Sequence, residues 1–147
     1  MTPDETARRS ADAMWADDRV SQGLGMTLDA VGPGTATLSM TLRDDMVNGH
    51  AIGHGGLTFT LADSAFAFAC NSYNRVTLAA AAEIRFRRPT MLGDRMVATA
   101  TERERDGRDG VYDVQVTVGD EVVALFTGRS KEIGGSLYDE GSAGQSG

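Results

Sequence analysis

A long, nearly all-apolar stretch spans residues 55–72 and constrains the fold more than any other feature of the sequence. Its length and composition predict a helix. A helix that is apolar on every side is normally enclosed by the rest of its domain. We therefore predict one central helix around which the other elements of the chain pack.

Alternating apolar and polar residues predict strands on both sides of this helix. Before the helix, two strands are predicted between residues 25 and 42, on either side of the turn Gly32-Pro33-Gly34. After it, Asp-Gly and Gly-Asp pairs separate four more predicted strands, at about 76–88, 93–105, 111–118 and 121–133. Six strands without regular strand-helix alternation indicate an α+β fold, in which a curved antiparallel sheet wraps the central helix.

Composition and charge indicate a single soluble domain with a short tail. The domain covers residues 1–135 and starts with a helix predicted at about 3–17, in which Thr2 is the N-cap and Pro3 is the first helical residue. The tail, residues 136–147, is rich in Gly and Ser and is predicted to be disordered. The net charge of −7 argues against nucleic acid or a membrane surface as a partner.

Cys70 is the single cysteine, so the chain has no internal disulfide and fits a reducing compartment. The first ten residues, MTPDETARRS, lack the apolar stretch of a signal peptide, and no apolar run approaches the length that spans a bilayer. We therefore expect a cytoplasmic protein. A thiol nucleophile would need a basic neighbour, and none is close to Cys70 in the sequence, so we expect a buried structural thiol.

Two histidines, His50 and His54, precede the central helix at a spacing that holds zinc when both lie on a helix. Four glycines around them, at positions 49, 53, 55 and 56, argue against a helix there. A third metal ligand is not evident from the sequence. We therefore expect no metal and no other cofactor.

A glycine run, Gly53-His54-Gly55-Gly56, enters the helix, and Asp63 follows within the apolar segment. Unpaired N–H groups at a helix start lie at the positive end of its dipole, where they stabilise a phosphate or a developing oxyanion. Asp63 is a costly charge among apolar neighbours unless it acts, as a nucleophile or a general base. Two structural alternatives stay open, a tight glycine turn and a buried aspartate satisfied by hydrogen bonds.

Several motifs extend along the chain from these residues. They are Asn48-Gly49-His50, His54-Gly55-Gly56, Leu61-Ala62-Asp63, Ala69-Cys70-Asn71-Ser72, Arg88-Pro89 with Gly93-Asp94, Gly110-Val111-Tyr112-Asp113, and Val123-Ala124-Leu125-Phe126 followed by Gly128 and Ile133-Gly134-Gly135. Together they resemble the phenylacetate-degradation acyl-CoA thioesterases of the hotdog-fold superfamily. The resemblance covers residues 10–135, and it implies a sheet wrapped around one long helix, in agreement with the predicted layout.

The resemblance also implies roles for the residues around the helix entrance. Asp63 would be the catalytic carboxylate, which attacks the thioester or activates water. The Gly55 amide would polarise the thioester carbonyl, while Asn48 and His54 would orient the loop and the substrate. The family shares its sites across a dimer interface, so Asp63 would face His54 and Gly55 of the partner subunit.

Further residues are predicted to contact the substrate or the attacking water. Arg87 and Arg88 form a local cationic cluster that suits the phosphates of coenzyme A, with a solvated strand end as the alternative. Gly56 and Ser64 complete the predicted binding residues. Some relatives carry a water-positioning hydroxyl on the strand after the helix.

In this chain the corresponding region, Leu78–Ala82, has no hydroxyl. Ser64 and Thr60 are therefore the candidates to position the water. The prediction as a whole is a cofactor-free thioesterase for phenylacetyl-CoA or a ring-hydroxylated derivative, assembled as a dimer of dimers. The alternatives are a hotdog enoyl-CoA hydratase, with His54 and Asp63 as its acid/base pair, and a non-catalytic acyl-CoA-binding protein.

Overall fold

The structure is a computed structural model that describes residues 1–140, and the predicted order of helices and strands is confirmed. The elements are α1 (Pro3–Asp17), α2 (Arg19–Gly23), β1 (Thr27–Gly32), β2 (Thr35–Thr41), α3 (Gly55–Cys70), β3 (Thr77–Phe86), β4 (Arg95–Asp106), β5 (Asp109–Val118) and β6 (Glu121–Glu132). The sequence did not predict α2 or a short 3-10 helix at Asp44–Met46.

Side-chain caps explain where the two N-terminal helices begin. The Thr2 hydroxyl accepts a hydrogen bond from the Glu5 N–H at 3.1 Å, and Pro3 occupies the first turn of α1. Asp18 caps α2 in the same way, because its carboxylate accepts the N–H of Ser21 at 3.0 Å. The two helices therefore follow one another with a single capping residue between them.

The six strands form one antiparallel sheet in the order β1-β2-β4-β5-β6-β3. One edge of the sheet is β1, which is six residues long, carries a bulge between Leu28 and Ala30, and packs against α1. The other edge is β3, which is ten residues long and pairs with β6 alone. This second edge is exposed on both faces from Leu78 to Glu83.

Helix α3 lies against all six strands and supplies much of the core. Leu61, Ala62 and Ala65 have no exposed surface, and Phe66 is 1% exposed. Phe66 lies so close to β6 that a Cβ on Gly128 would stand 2.7 Å from its ring. The absence of a side chain at Gly128 therefore lets the backbone of β6 approach the ring of Phe66 and so the helix.

One stripe of α3 stays open in the single chain, although an apolar helix of this kind is normally enclosed by its domain. Gly56, Thr60, Asp63 and Ala67 recur at helical spacing and keep part of their surface exposed. The sheet covers the rest of the helix. Within residues 1–140, both the open stripe of α3 and the exposed edge strand β3 lack a covering element.

The chain beyond β6 returns to the end of α3. The Oδ1 atom of Asn74 accepts the N–H groups of Leu137 and Tyr138 at 2.9 and 3.1 Å. Part of the tail predicted to be disordered, residues 136–140, is thus held by hydrogen bonds, while residues 141–147 lie outside the described residues. Within residues 1–140, no helix is long and apolar enough to cross a membrane.

Candidate active site

The loop before α3 is organised by Asn48. Its Oδ1 atom accepts the N–H groups of His50 at 2.9 Å and Ile52 at 3.2 Å. Its backbone N–H donates to the Ile52 carbonyl at 2.8 Å. A side chain that accepts the backbone N–H groups of its own loop holds that loop in one conformation. The geometry agrees with the implied role of Asn48 in orienting the loop.

Two backbone hydrogen bonds and one close approach fix the entrance to α3. The Gly53 N–H donates to the Thr90 carbonyl at 2.7 Å, and the His54 N–H donates to the Met46 carbonyl at 2.9 Å. A Cβ on Gly53 would stand 2.0 Å from the hydroxyl oxygen of Thr90, so a side chain has no room there. The start of α3 is therefore held against the segment that follows β3.

His54 caps α3 by accepting two of the N–H groups in its first turn. The Nδ1 atom of His54 accepts the Gly56 N–H at 3.0 Å, and its carbonyl accepts the Leu57 N–H at 2.9 Å. The Gly55 N–H has no acceptor within residues 1–140. One unpaired donor thus lies at the positive end of the helix dipole, which is the arrangement that stabilises a developing oxyanion.

An open cavity of about 400 Å³ lies at this helix start. Its lining includes Gly55, Phe86, Arg87, Arg88 and Thr90. Three of the predicted site residues, Gly55, Arg87 and Arg88, are therefore brought together around one cavity. An acyl carbonyl at the Gly55 amide and a phosphate group at the arginines are both within the reach of one extended ligand.

Arg87 and Arg88 are presented where β3 ends beside β6. The N–H groups of both residues donate to the Val123 carbonyl, at 2.8 and 3.2 Å. Arg88 also forms an ion pair with Glu121 at 3.0 Å, whereas Arg87 has no carboxylate partner in the described part of the chain. Both side chains are exposed, and a guanidinium in that setting is available to a phosphate.

Asp63 lies apart from this cavity, two turns further along α3. Eight residues of helix separate it from Gly55, roughly 12 Å along the axis. Its carboxylate is partly buried, and no donor or cation pairs with it among residues 1–140. Burial raises the pKa of the Asp63 carboxyl above its ordinary value, which makes the ionised form a stronger base.

Three other predicted residues have partners of their own in the single chain. Ser64 Oγ lies 2.9 Å from Ser21 Oγ, and the Ser21 hydroxyl donates to an oxygen of Asp18 at 2.7 Å. The Thr60 hydroxyl donates to the Gly56 carbonyl at 2.8 Å. The Gly56 N–H is used by the His54 cap. Direct contacts of Gly56, Ser64 and Thr60 with substrate or water therefore stay predictions.

Phe86 and Thr90 belong to the cavity but were not predicted from the sequence. The ring of Phe86 is 57% exposed, and a Cβ on Gly55 would stand 3.1 Å from it. An exposed aromatic residue directly before an arginine pair was the available signal. Thr90 gives no such signal, because only the folded sheet places it beside Gly53.

Cys70 is 4% exposed, as expected for a structural thiol. Burial raises its pKa to about 12, so the thiol stays protonated near neutral pH. His50 and His54 lie in the loop and at the helix cap, and the described residues contain no group of three or more His, Cys, Asp or Glu side chains suited to a metal ion.

An antiparallel sheet wrapped around one long central helix is a hotdog fold. Residues 50–125 match the profile of the Thioesterase superfamily, and the chain belongs to this superfamily. The resemblance noted in the sequence is thereby confirmed.

Individual relatives agree with this assignment. The chain is 42% identical to Acyl-coenzyme A thioesterase PaaI of Escherichia coli over 135 residues, which are 91% of this chain and 96% of that protein. It is similar to the solved structure of the E. coli PaaI protein from the phenylacetic acid degradation operon, with a TM-score of 0.90, 40% identity, and coverage of 92% of this chain and 99% of that one. A mutant of phenylacetic acid degradation protein PaaI from Thermus thermophilus matches with a TM-score of 0.77 at 34% identity, covering 79% and 100% of the two chains.

Proposed function

We propose that this chain is an acyl-CoA thioesterase that hydrolyses phenylacetyl-CoA or a ring-hydroxylated derivative. The observation that carries the proposal is the cavity lined by Gly55, Arg87 and Arg88, beside a helix start whose Gly55 N–H has no acceptor within residues 1–140. A thioester of coenzyme A has an acyl carbonyl at one end and phosphates further along. The name and the operon of the E. coli relative support the same substrate class.

Hydrolysis needs an oxyanion donor, a nucleophile or base, and a water molecule. The Gly55 N–H binds the carbonyl oxygen and stabilises the charge that develops on it. The ionised Asp63 then attacks the carbonyl carbon to form an anhydride that water cleaves, or it takes a proton from a water that attacks directly. In either route the C–S bond breaks and coenzyme A leaves as a thiolate, which takes a proton from the Asp63 carboxyl in the general-base route and from water in the anhydride route. The proposal includes no metal and no other cofactor.

We propose that each active site is shared by two subunits. The carboxylate must lie about 3 Å from the carbonyl carbon, and the amide N–H must lie about 3 Å from the oxygen of the same carbonyl. Asp63 and Gly55 of a single straight helix are roughly 12 Å apart, so one chain does not supply both. Two α3 helices related by a two-fold axis can place the carboxylate of one chain beside the amide of the other. The symmetry then creates two identical sites. The open stripe of α3 and the exposed edge of β3 support this interface.

The assembly and the cellular location extend the same proposal. We place two such dimers in a homotetramer, a step that follows from the family resemblance. We also place the enzyme in the cytoplasm, where a reducing environment suits the free thiol of Cys70. Sedimentation measurements on the purified chain test the tetramer, and a monomer at micromolar concentration would contradict the shared site.

A thiol-release assay tests the activity. The substrates are phenylacetyl-CoA, its 4-hydroxy derivative, hexanoyl-CoA and crotonyl-CoA, and Asp63→Asn is the inactive control. We expect the highest kcat/KM for the two aryl substrates, unchanged by a chelator. Hydration of crotonyl-CoA without thiol release would favour the hydratase. In that case Nε2 of His54 would be the acid/base atom, because Nδ1 accepts the hydrogen bond of the helix cap. Binding without turnover would favour an acyl-CoA-binding protein.

A further inference from the structure

Phe59 differs from the other aromatic residues of α3. Phe66 and Phe68 are each 1% exposed, whereas Phe59 is only partly buried at the edge of the core. It precedes Asp63 by four residues, a spacing that places the two side chains next to each other on one side of the helix. An aromatic ring thus lies one turn from the carboxylate, beside the stripe that the sheet leaves open.

The ring of Phe59 is held in place from the core side. Its centroid lies 5.3 Å from that of Phe126, and the two planes meet at 67°. Phe126 is 2% exposed and also packs against Phe66, with centroids 5.8 Å apart. An aromatic side chain anchored on one side loses little conformational entropy when a ligand packs against its other side. The remaining surface of Phe59 is therefore preorganised.

The shared-site geometry places Phe59 between the two active sites of a dimer. If Asp63 faces the partner subunit's Gly55, the two-fold axis passes beside the residue midway between them, and that residue is Phe59. Four residues of helix, roughly 6 Å along the axis, separate it from each end. In that dimer each copy of Phe59 lies on α3 midway between the two sites, about one helix turn from each.

We infer that Phe59 determines the specificity of the enzyme for an aromatic acyl group. This inference rests on the proposed thioesterase function. The phenyl ring of a phenylacetyl group is one methylene from the thioester carbonyl, so it reaches the neighbouring helix turn when the carbonyl is at Asp63. An aromatic ring packs edge-to-face or offset against Phe59, a contact that a flexible alkyl chain does not reproduce.

The test compares kcat/KM for phenylacetyl-CoA and hexanoyl-CoA in three proteins. Phe59→Leu removes the ring but keeps an apolar side chain, and Phe59→Tyr keeps the ring. We expect the preference for phenylacetyl-CoA to fall about tenfold in Phe59→Leu and to stay within about twofold in Phe59→Tyr. Equal losses for both substrates in Phe59→Leu, or an unchanged preference, would overturn the inference.

A measurement on the wild-type protein covers the case in which Phe59→Leu does not fold. The probe is S-(2-oxo-3-phenylpropyl)-CoA, a ketone that cannot be hydrolysed, bound to protein with labelled phenylalanine rings. We expect a nuclear Overhauser effect between the probe ring and a phenylalanine ring whose signals are missing in Phe59→Tyr. Its absence from the bound complex would overturn the inference. A wild-type enzyme that releases thiol from no acyl-CoA would instead overturn the proposed function, and the inference with it.

Discussion

The Nδ1 atom of His54 accepts the N–H of Gly56 at 3.0 Å, and this one contact determines which amide is available at the start of α3. With Nδ1 acting as an acceptor, the proton of the neutral imidazole is on Nε2. The cap satisfies the second amide of the helix, whereas the first, that of Gly55, has no acceptor in the part of the chain that the structure describes. The helix start therefore presents one directed donor, which suits a single carbonyl oxygen.

Gly55→Pro should abolish this donor with little change in the fold. Proline is well tolerated at the first helical position, and His54, with φ −70° and ψ 127°, already has the conformation that a residue before proline adopts. Loss of one oxyanion donor lowers kcat by roughly 10² to 10³. Steady-state kinetics should show this fall in kcat with a much smaller change in KM.

The matched control for this variant is Gly55→Ala, which retains the N–H. It adds a Cβ at 3.1 Å from the exposed ring of Phe86, which is free to move aside. We therefore expect Gly55→Ala to retain more of kcat than Gly55→Pro. A change confined to KM in both variants would mean that the loop shapes the cavity without stabilising the oxyanion.

Asp63→Asn should lose nearly all hydrolysis, because the amide is neither a base nor a nucleophile. The same variant should be more stable than the wild type at neutral pH. Burial raises the pKa of Asp63, so the native state binds more protons than the unfolded state between the ordinary and the raised value, and wild-type stability falls as pH rises through that window. Asparagine carries no such penalty.

Thermal denaturation at pH 7 and below pH 3 checks this sign. The excess stability of Asp63→Asn should be present at pH 7 and should disappear in acid, where the wild-type carboxyl is neutral in both states. A folded Asp63→Asn variant with half of the wild-type turnover would remove Asp63 from the mechanism.

The pH profile of kcat should have an acidic limb set by Asp63. The reaction needs the ionised carboxylate, and burial raises its pKa, so activity should be lost at a higher pH than for an exposed aspartate. Discontinuous assays across the acid range measure the acidic limb of the kcat profile. NMR of 13C-labelled aspartate measures the titration of Asp63 itself. A limb at or below the ordinary aspartate value of about 3.9 would contradict the prediction.

Two inactive variants should restore activity when their subunits are mixed. Asp63→Asn and Gly55→Pro each damage a different half of a shared site. After random exchange about half of the dimers are mixed, and one of their two sites is intact, which gives about a quarter of wild-type activity. Exchange must be verified, for example with differently tagged subunits. No recovery after verified exchange would show that one chain supplies both groups.

Removal of positive charge at Arg87 and Arg88 should raise KM for acyl-CoA with little change in kcat. The Arg88–Glu121 pair is exposed and therefore contributes little to stability, so Arg88→Gln should fold normally. The KM effect should shrink as salt screens the phosphates. Arg8→Gln on α1 is the matched surface control. An unchanged KM in the double variant Arg87→Gln/Arg88→Gln would leave these residues as a solvated strand end.

The fold followed closely from local patterns, and its differences have physical causes. The predicted helix at 55–72 and the observed α3, Gly55–Cys70, differ only at the C-terminal end. The open stripe of α3 could not be predicted from the sequence, because Ala and Thr occur both in cores and on surfaces. The short helix α2 was missed although Asp18 is a typical N-cap, because five residues are too few for a periodic pattern.

The candidate site was predictable where neighbours in the sequence are also neighbours in space. Gly55 lies beside its cap His54, and Arg87 lies beside Arg88. The partners of Ser64 were not predictable in this way, because Ser21 is 43 residues away along the chain. The contact between Gly55 and Phe86 was unpredictable for the same reason, because it depends on where the end of β3 lies relative to the start of α3.

The alanines of β3 have a consequence for how two copies would align. Both faces of Ala79–Ala82 present the same small side chain, so pairing between two β3 edges has no preferred register of its own and is open to slippage. A slip of two residues would slide the subunits by about 6.8 Å and separate Asp63 from the partner subunit's Gly55. In the proposed dimer the alignment must therefore come from the facing α3 helices, and substitutions on their open stripe would shift the register while the strands stayed paired.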